Sequence, residues 1–408
     1  MNKPHPLVDI QSPALRVMFI ITSMPVGGAE TLLVNMTRRF DPNRIQPMIG
    51  CLKEKGVLGE EIQSEFPVFD HLINHKYDIA VARRLRKLFK TNSVDAVITV
   101  GAGDKMFWGR LAAKSAGVPV ILSALHSTGW PDGVGRLNRM LTRITDGFIA
   151  VARNHADFLV EFEKFPEHKV FMVPNGIDTS RFVFDSQARD QWRSKYNIGA
   201  DDPTVGIVAA LRPEKNHELF LAAAERTLQE IPNAKFVIAG DGERRADLEA
   251  LAKEKGINES VRFLGSISDI PGVLSMVDLF SLTSHNEASP VSILEALSCG
   301  RPVVATDVGS IKESVLQGQT GYLVEPGSVE DVSSKWIQLL SDAPLREQMG
   351  RTGRAHVVDN SSLDSMTAGY TELVESIHRF KSTDETADNP EIFTKEPTFI
   401  VGSQSTVQ

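Results

Sequence analysis

The chain has 408 residues, 42% hydrophobic and 24% charged, a composition typical of a soluble globular protein long enough for two domains. Its formal net charge of −8 argues against a general nucleic-acid binder, which needs an excess of basic residues to meet the phosphate backbone. The two cysteines, Cys51 and Cys299, stand far apart, which argues against a disulfide framework or a cysteine metal site and favours a cytoplasmic protein.

From Leu15 onward, short apolar runs alternate with longer amphipathic ones, the pattern of parallel strands joined by helices. The first apolar run, 17–26, is broken by Pro25 and leads into two glycines, so we expect a buried strand there and not a signal peptide. No stretch reaches the roughly 18 to 20 apolar residues that a membrane-spanning helix needs. The strands predicted for a first sheet are 16–22, 46–51, 95–100, 118–123, 147–151 and 170–173.

A second series of strands follows a polar stretch at 185–203, for which we predict no regular structure. Its predicted strands are 204–210, 235–240, 261–265, 278–282 and 302–306. The whole pattern predicts an α/β fold class with two Rossmann-like, doubly wound domains that face each other across a cleft. Ligands of such sheets lie beyond the carboxyl ends of the strands, so two facing clefts would form one site.

The end of the chain divides into a predicted helix and a tail. The segment 361–380 has apolar residues at helical spacing and is expected to pack on an apolar surface. The segment 381–408 is rich in Ser, Thr, Asp, Glu and Pro and has no periodicity, so it is predicted to be disordered.

The stretch "SHNEASPVSILEALSCG", residues 284–300, contains the start of a predicted helix. Ser289 suits the N-cap position and Pro290 the first helical position, so we predict a helix over 290–299. Exposed backbone N–H groups at a helix start, together with the helix dipole, favour a phosphate group. We therefore predict phosphate contacts at this helix start, at Ser289, Pro290, Val291 and Ser292.

Two carboxylates, Glu287 and Glu295, flank that helix start. Glu295 lies about 7.5 Å along the helix axis, so the two carboxylates cannot be neighbours on one helical face. Carboxylates accept hydrogen bonds from sugar hydroxyls. A nucleotide sugar, with phosphate in the middle and a sugar at each end, therefore fits the group. Two ordinary solvated glutamates are the alternative interpretation.

Two cations follow the first strand of the second series, in "ALRPEKNHELFLAA", residues 210–223. Arg212 and Lys215 are thereby placed at the carboxyl end of that strand, where cations can hold a diphosphate leaving group. A solvated pair is the alternative. No Asp-x-Asp triplet occurs in the chain, so we expect no metal and assign its role to these cations and the helix start.

The first series offers a glycine loop and a histidine. The stretch "TSMPVGGAE", residues 22–30, follows the first strand, and Gly27 and Gly28 would let a ligand approach the backbone closely. His126 stands just past another predicted strand, where its side chain would point into the cleft. An ordinary tight turn and a structural or exposed histidine are the alternative interpretations.

With these motifs in this order, the chain resembles family 4 of the nucleotide-sugar glycosyltransferases over residues 16–378. The resemblance rests on "GGAE", "NGID", "LRPEKNHELFLAA", "IAGDGERRADLEALAKEKGINESVRFLG", "HNEASPVSILEALSCGRPVVATDVGSIKESV" and "GYLVEPGSVEDV". It implies the two-domain GT-B fold and retention of the anomeric configuration. The implied domains are 1–180 on the acceptor side, completed by the helix 361–380, and 181–360 for the nucleotide sugar.

The resemblance also implies roles for single residues. Glu287 is expected to face the transferred sugar, Glu295 the ribose of the donor, and Lys215 the diphosphate. His126 is similar to the family's first-domain histidine near the donor sugar. The segment 262–267 is expected to lie by the nucleobase.

One departure from the family pattern concerns an arginine that usually stands five positions before the lysine. Ala210 occupies that place here, and the nearest arginine is Arg212, three positions before Lys215. Two interpretations stay open: Arg212 takes over the phosphate contact, or no arginine does.

The expected reaction is transfer of a hexose-type sugar from a nucleotide-diphosphate sugar to an acceptor hydroxyl, without a metal or other cofactor. Same-face attack, assisted by the departing phosphate, is favoured over a Glu287 nucleophile. The acceptor stays open among a sugar, a lipid-linked molecule and a small molecule. Two rivals remain: a nucleotide-sugar 2-epimerase of the same fold, and a non-catalytic binding protein, which the alanine at 210 keeps open.

A basic segment, "RRLRKLFK" at 83–90, carries five basic residues and no acidic one. A basic amphipathic helix can lie on anionic lipid, which would put the protein at the inner membrane surface. A solvated helix face is the alternative interpretation.

Overall fold

The computed structural model describes residues 13–25, 27–75, 77–101, 103–125 and 139–382. These residues form two parallel β-sheets with helices packed against them. The predicted fold class, two Rossmann-like doubly wound domains, is thereby confirmed. The segment 383–408, most of the tail predicted to be disordered, lies outside the described residues.

The first sheet has seven parallel strands, β1 Leu15–Ile21, β2 Ile45–Cys51, β3 Val68–Phe69, β4 Ala96–Val100, β5 Val120–Ala124, β6 Gly147–Ala150 and β7 Val170–Met172. Their order is β3-β2-β1-β4-β5-β6-β7. Successive residues of β1 enter two different core clusters, Phe19 in one and Ile20 in the other, because side chains alternate across a strand. Both faces are therefore covered, by helices that include α1 Gly28–Arg39, α2 Gly56–Ile62, α3 Val81–Thr91, α4 Asp104–Ala116 and α5 Arg153–Glu161.

The second sheet has six parallel strands, β8 Thr204–Val208, β9 Lys235–Ala239, β10 Val261–Gly265, β11 Leu279–Leu282, β12 Val303–Thr306 and β13 Gly321–Val324. Their order is β10-β9-β8-β11-β12-β13. Trp336 is fully buried in the core of this half. The helices of this half are α6 Ser186–Lys195, α7 His217–Glu230, α8 Arg245–Glu254, α9 Ile270–Met276, α10 Val291–Ser298, α11 Ile311–Ser314, α12 Val329–Ser341 and α13 Ala343–Asn360.

Every predicted strand is present, with ends shifted by at most two residues. The prediction of no regular structure at 185–203 was wrong, because helix α6 lies there. Asp185 caps that helix by accepting hydrogen bonds from the N–H groups of Gln187 and Ala188 at 2.8 and 3.1 Å. Arg189 then anchors it to the second sheet through an ion pair with Asp278 at 2.7 Å.

The last helix, α14 Leu363–Ser382, returns from the second half of the chain to the first sheet. Its buried face, which includes Met366 and Leu373, belongs to the same core cluster as β1. Arg44 of the first half pairs with Glu375 of this helix at 2.7 Å. The terminal helix therefore ties the two halves together.

Candidate functional site

In the second sheet the strand order reverses between β8 and β11, which are hydrogen-bonded neighbours at its centre. From β8 the chain continues outward to β10, and from β11 it continues outward on the other side to β13. The crevice at such a switch point, beyond the carboxyl ends of the strands, is where open α/β sheets bind ligands. The loops after β8 and β11 carry Lys215 and Glu287 to this point.

An ion pair joins these two loops. The Nζ of Lys215 donates to Oε1 of Glu287 at 2.6 Å, and the hydroxyl of Ser284 donates to the same oxygen at 2.6 Å. The Glu287 side chain is only 9% exposed. A carboxylate so deeply placed depends on its partners, because an unpaired buried charge is costly. The fold thus brings together two residues that the sequence singled out separately.

Backbone and hydroxyl contacts fix the same two loops. The N–H of His285 donates to the carbonyl of Glu214 at 2.9 Å. The hydroxyl of Thr283 donates to the carbonyls of Lys215 and Asn216 at 3.3 and 3.0 Å. The ion pair is therefore held from both sides before any ligand is bound.

A third loop, at 307–310, packs against the backbone carbonyl of Glu287. Gly309 has φ +55° and lies so close to Glu287 that a Cβ at this position would overlap the Glu287 carbonyl oxygen. The N–H of Ser310 donates to that same carbonyl at 3.2 Å. Position 309 thus needs glycine both for its backbone conformation and for the space.

The helix after Glu287 starts one residue later than predicted. Helix α10 begins at Val291 with Pro290 as its N-cap, and no side chain caps it, so the predicted capping by Ser289 was wrong. Pro290 cannot donate a hydrogen bond because it has no N–H. Among the described residues, the N–H groups of Val291 and Ser292 have no acceptor. These two amides are the donors that the helix start offers to an anion.

Glu295 lies within α10 and is half-buried. Burial raises the pKa of its carboxyl from 4.5 to about 7, while the Arg181 guanidinium acts in the opposite direction. No hydrogen bond or ion pair within the described part of the chain holds this carboxylate. Glu295 therefore differs from Glu287, whose carboxylate is already paired.

Arg212 is exposed at the start of the turn that carries Lys215. Its N–H donates to the carbonyl of Ala210 at 2.8 Å, but its guanidinium contacts no partner in the described ranges. The loop itself is closely packed, since a Cβ at Gly240 or Gly242 would collide with its backbone. A fixed loop thus presents a side chain that is free to meet a ligand.

The residues predicted in the first half are less closely held. Gly27 is the N-cap of α1, and a Cβ there would meet the flexible side chain of Glu30. Gly28 is exposed, and a Cβ added to it would meet nothing within 4 Å. His126 lies outside the described residues.

A cavity of about 250 Å³ lies between the two halves of the molecule. One of the predicted donor-site residues, Ser289, lines it, and its carbonyl accepts a hydrogen bond from Nδ2 of Asn175 at 3.0 Å. The wall combines both halves: Val151, Ala152, Met172, Pro174, Asn175, Ser289, Leu294, Glu313, Ser314, His356, Asn360 and Ser361. The helix start after Glu287 is thus linked directly to the first half.

Sequence reasoning assigned no role to several residues that build the site. Ser284, Asn175 and Glu313 stand inside quoted motifs. Ser284 contacts its near neighbour Glu287, whereas the contacts of Asn175 and Glu313 depend on segments far away in the chain. Within the described residues, no group of three or more His, Cys, Asp or Glu side chains is arranged to hold a metal ion.

The basic segment at 83–90 forms most of helix α3. Arg84 is bonded to Asp78 and to the carbonyl of Leu72, and Arg86 donates to the carbonyl of Ser115. Three of the five basic side chains remain exposed with neither a hydrogen bond nor an ion pair in the described ranges, and they share one helical face at Arg83, Lys87 and Lys90. No helix in the described part of the chain is long and apolar enough to cross a membrane.

Comparison with known families finds two models that together span most of the chain. The model described as glycosyl transferases group 1 matches residues 188–356, and the model described as glycosyltransferase family 4 matches residues 26–181. These matches cover every strand of the two sheets except β1, which lies before the first of them.

Individual relatives match over most of their length. The putative glycosyltransferase EpsF of Bacillus subtilis is 28% identical over 84% of this chain and 92% of its own. The GDP-mannose-dependent alpha-(1-6)-phosphatidylinositol monomannoside mannosyltransferase of Mycolicibacterium smegmatis is 28% identical over 72% of this chain and 80% of its own. The crystal structure of HepE from Anabaena in complex with UDP-glucose has a TM-score of 0.79 at 20% identity, covering 89% of this chain and 100% of that one. This likeness confirms the predicted GT-B fold.

Proposed function

Because this chain belongs to the family 4 glycosyltransferases with the GT-B fold, we propose that it transfers a hexosyl group from a nucleotide-diphosphate sugar to an acceptor hydroxyl, with retention of configuration. The observation that carries the proposal is the Lys215–Glu287 ion pair at the switch point of the second sheet. In this proposal Lys215 would meet the diphosphate and Glu287 the sugar, at the position where such sheets bind ligands.

The leaving group of this reaction is a nucleoside diphosphate. Charge that develops on its phosphate as the sugar departs would be met by Lys215, by Arg212 and by the free amides of Val291 and Ser292. These groups are held in place before the donor binds, apart from the guanidinium of Arg212, so little reorganisation is needed. We assign the charge stabilisation to them without a metal ion.

Glu287 and Glu295 take different roles in this proposal. Glu287 sits in the loop between β11 and α10, so it would face the transferred sugar. Glu295 lies about one turn into α10, and its unpaired carboxylate would accept hydrogen bonds from the ribose. The nucleobase would then lie by 262–267, at the end of β10.

The two halves would divide the substrates between them. We propose that residues 181–360 bind the nucleotide sugar and that residues 1–180, completed by α14, present the acceptor beside Gly27, Gly28 and His126. EpsF aside, the compared proteins use GDP-mannose or bind UDP-glucose, so both UDP- and GDP-sugars are the donors to test first. A sugar, lipid-linked or small-molecule hydroxyl would be the acceptor.

The first test is a thermal-shift screen of UDP, GDP and their hexose conjugates. A ligand at 100 times its Kd stabilises the folded state by about 2.7 kcal/mol, which is readily measured. The donor that stabilises is then incubated with an acceptor panel, and the anomeric configuration of the product is read by NMR. An inverted product would contradict retention, activity lost on chelation would contradict a metal-free reaction, and an epimer formed without acceptor would favour an epimerase.

The division of roles between the two glutamates has its own test. Glu295→Gln is expected to weaken binding of the free nucleoside diphosphate, whereas Glu287→Gln is expected to lower turnover chiefly. Glu254→Gln, at the far end of α8, is the matched control because it makes the same charge change at an exposed site. The assignment is wrong if Glu287→Gln weakens binding of the sugarless ligand more than Glu295→Gln does.

We also propose that α3 makes peripheral contact with anionic membranes, which would suit a lipid-linked acceptor. The face formed by Arg83, Lys87 and Lys90 carries free cations, and the preceding loop exposes Tyr77 and Ile79 at 79% and 77%. Replacing the three cations with Gln should abolish co-sedimentation with phosphatidylglycerol vesicles, and salt should weaken binding of the unchanged protein. Unchanged protein that ignores such vesicles at low salt would end this proposal.

A further inference from the structure

Helix α5 of the first half begins without a cap of its own and receives one from the second half. Ala152 is its N-cap residue and offers no side-chain acceptor. Instead, the Glu313 carboxylate accepts from the N–H of Arg153 through Oε2 at 2.7 Å and from the N–H of Asn154 through Oε1 at 2.8 Å. Each carboxylate oxygen therefore satisfies one of the N–H groups that a helix start leaves unpaired.

A second contact runs beside the first. The side-chain Nδ2 of Asn154 donates to the carbonyl of Gly309 at 2.9 Å. Gly309 is the residue whose backbone lies against the carbonyl of Glu287, and its neighbour Ser310 donates to that carbonyl. The start of α5 is thus two contacts away from the backbone of Glu287.

The side chain of Glu287 extends this connection to the candidate site, because it is bonded to both Lys215 and Ser284. The path from the first half to Lys215 therefore consists only of short, defined contacts. Movement of α5 relative to the second sheet would withdraw the support that the loop at 309–310 gives to the backbone of Glu287, the residue assigned to the transferred sugar.

We infer that Glu313 is a positioning residue of the transferase. By capping α5 across the cleft, it fixes the placement of the two sheets and holds the loop at 309–310 beneath Glu287. This inference rests on the proposed function, since transfer needs the donor of one half and the acceptor of the other in fixed register. A nucleoside diphosphate alone needs only the second half, so its binding does not depend on Glu313.

The test uses Glu313→Gln in the full chain. The Gln side chain has nearly the same shape, but its NH2 group faces one of the two backbone N–H groups and leaves it unpaired. Amide exchange at residues 153 and 154 should become about tenfold faster, and turnover should fall about tenfold, as expected for a lost helix cap. The Kd for the free nucleoside diphosphate should change less than about twofold, as expected if its binding site is unaffected.

Asn154→Leu, on the other side of the cleft, should also lower turnover and leave nucleotide affinity unchanged. The radius of gyration from small-angle X-ray scattering should increase in both variants, a readout that needs no activity. Glu254→Gln, the exposed control on α8, should match the unchanged protein in all measurements.

The outcomes separate the positioning role from the proposed function. Unchanged amide exchange and an unchanged radius of gyration in Glu313→Gln would overturn the inference. Faster exchange with full turnover would also overturn it and leave Glu313 a stabilising contact only. If the unchanged protein transfers no sugar from any donor, the proposed function fails, while exchange and scattering still decide whether Glu313 sets the placement of the two halves.

Discussion

The carboxyl edges of the two sheets differ in how firmly they are built. At the second edge, Glu287 receives hydrogen bonds from Lys215 and Ser284, and Gly309 presses against its backbone. At the first edge, α1 begins with Gly28, where an added Cβ would meet nothing within 4 Å. One edge is assembled before any ligand arrives, and the other leaves space.

This difference fits a division between donor and acceptor. A nucleotide diphosphate has the same charged core in every donor, so a fixed arrangement of cations and amides can serve it. Acceptors vary in shape, and a loop with open space can accommodate a variable partner at little cost in stability. The three predictions below alter the fixed edge, the open edge or Glu295, whose carboxylate has no partner among the described residues.

The largest effect is expected at Arg212, a cation of the fixed edge whose guanidinium has no partner among the described residues. Arg212→Ala should lower turnover by about 10² to 10³, the range for loss of one transition-state donor. Arg212→Lys should recover only part of it, because a planar guanidinium can hold two phosphate oxygens at once. Steady-state turnover with the donor found in the screen is the measurement.

Two further variants sharpen that result. Ala210→Arg in the Arg212→Ala background should restore activity if both positions reach the same phosphate. Arg351→Ala, an exposed arginine on α13, is the control and should leave turnover unchanged. Folded Arg212→Ala enzyme with near-normal turnover would show that Lys215 and the helix start suffice, and that the fixed edge is complete without Arg212.

The fold could be predicted from the sequence wherever apolar runs mark buried parallel strands. The strands and the helix that were not predicted are those with a weak hydrophobic pattern. Strand β3 has only two residues, and β13 opens on a glycine within a turn-rich stretch. Helix α6 is so polar that its apolar face gives little signal, although Asp185 before it is a recognisable capping residue.

The candidate site could be predicted as residues but not as contacts. Lys215 and Glu287 were both indicated, yet their pairing depends on β8 and β11 being neighbours, which local sequence does not encode. The cap that Glu313 gives to α5 joins positions even farther apart and depends on how the two halves meet. The sequence thus indicated the chemistry of the residues but not the tertiary contacts between positions far apart in the chain.

The second prediction compares one glycine from each edge. Gly309→Ala should destabilise the protein by about 3 kcal/mol, because a Cβ there requires both a strained φ and a shift of the Glu287 backbone. Gly28→Ala should change the free energy of unfolding by less than about 1 kcal/mol and in the stabilising direction, because Ala favours a helix. Urea unfolding of both variants is the measurement.

Turnover of the Gly28→Ala variant completes this comparison. If a substrate approaches the backbone at Gly28, the added methyl group should reduce turnover although the protein is no less stable. Equal turnover would show that the open space at the first edge is not used. A large loss of stability in Gly28→Ala would instead contradict the picture of an open edge.

The smallest effect concerns Glu295, the unpaired carboxylate whose pKa burial raises from 4.5 to about 7. Below the lower value both the folded and the unfolded chain hold this proton, so Glu295 costs no stability there. As pH rises toward 7, the unfolded chain releases the proton first, so stability falls across this window and stays lower above it. Glu295→Gln should therefore increase the free energy of unfolding at pH 8 by on the order of 1 to 2 kcal/mol, and by much less at pH 5. The measurement is the Tm of both proteins at the two pH values.

Ligand binding should offset the stability that the ionised Glu295 carboxylate costs the free protein. Ribose hydroxyls that donate to an ionised Glu295 would lower its pKa in the complex, so nucleoside diphosphate affinity should rise as pH increases through about 7. The phosphates also titrate near this range. Only the difference between the unchanged protein and Glu295→Gln, measured by calorimetry from pH 5.5 to 8.5, therefore isolates Glu295. Parallel pH profiles for the two proteins would show that Glu295 does not meet the nucleotide, and the stability it costs would then have no counterpart in binding.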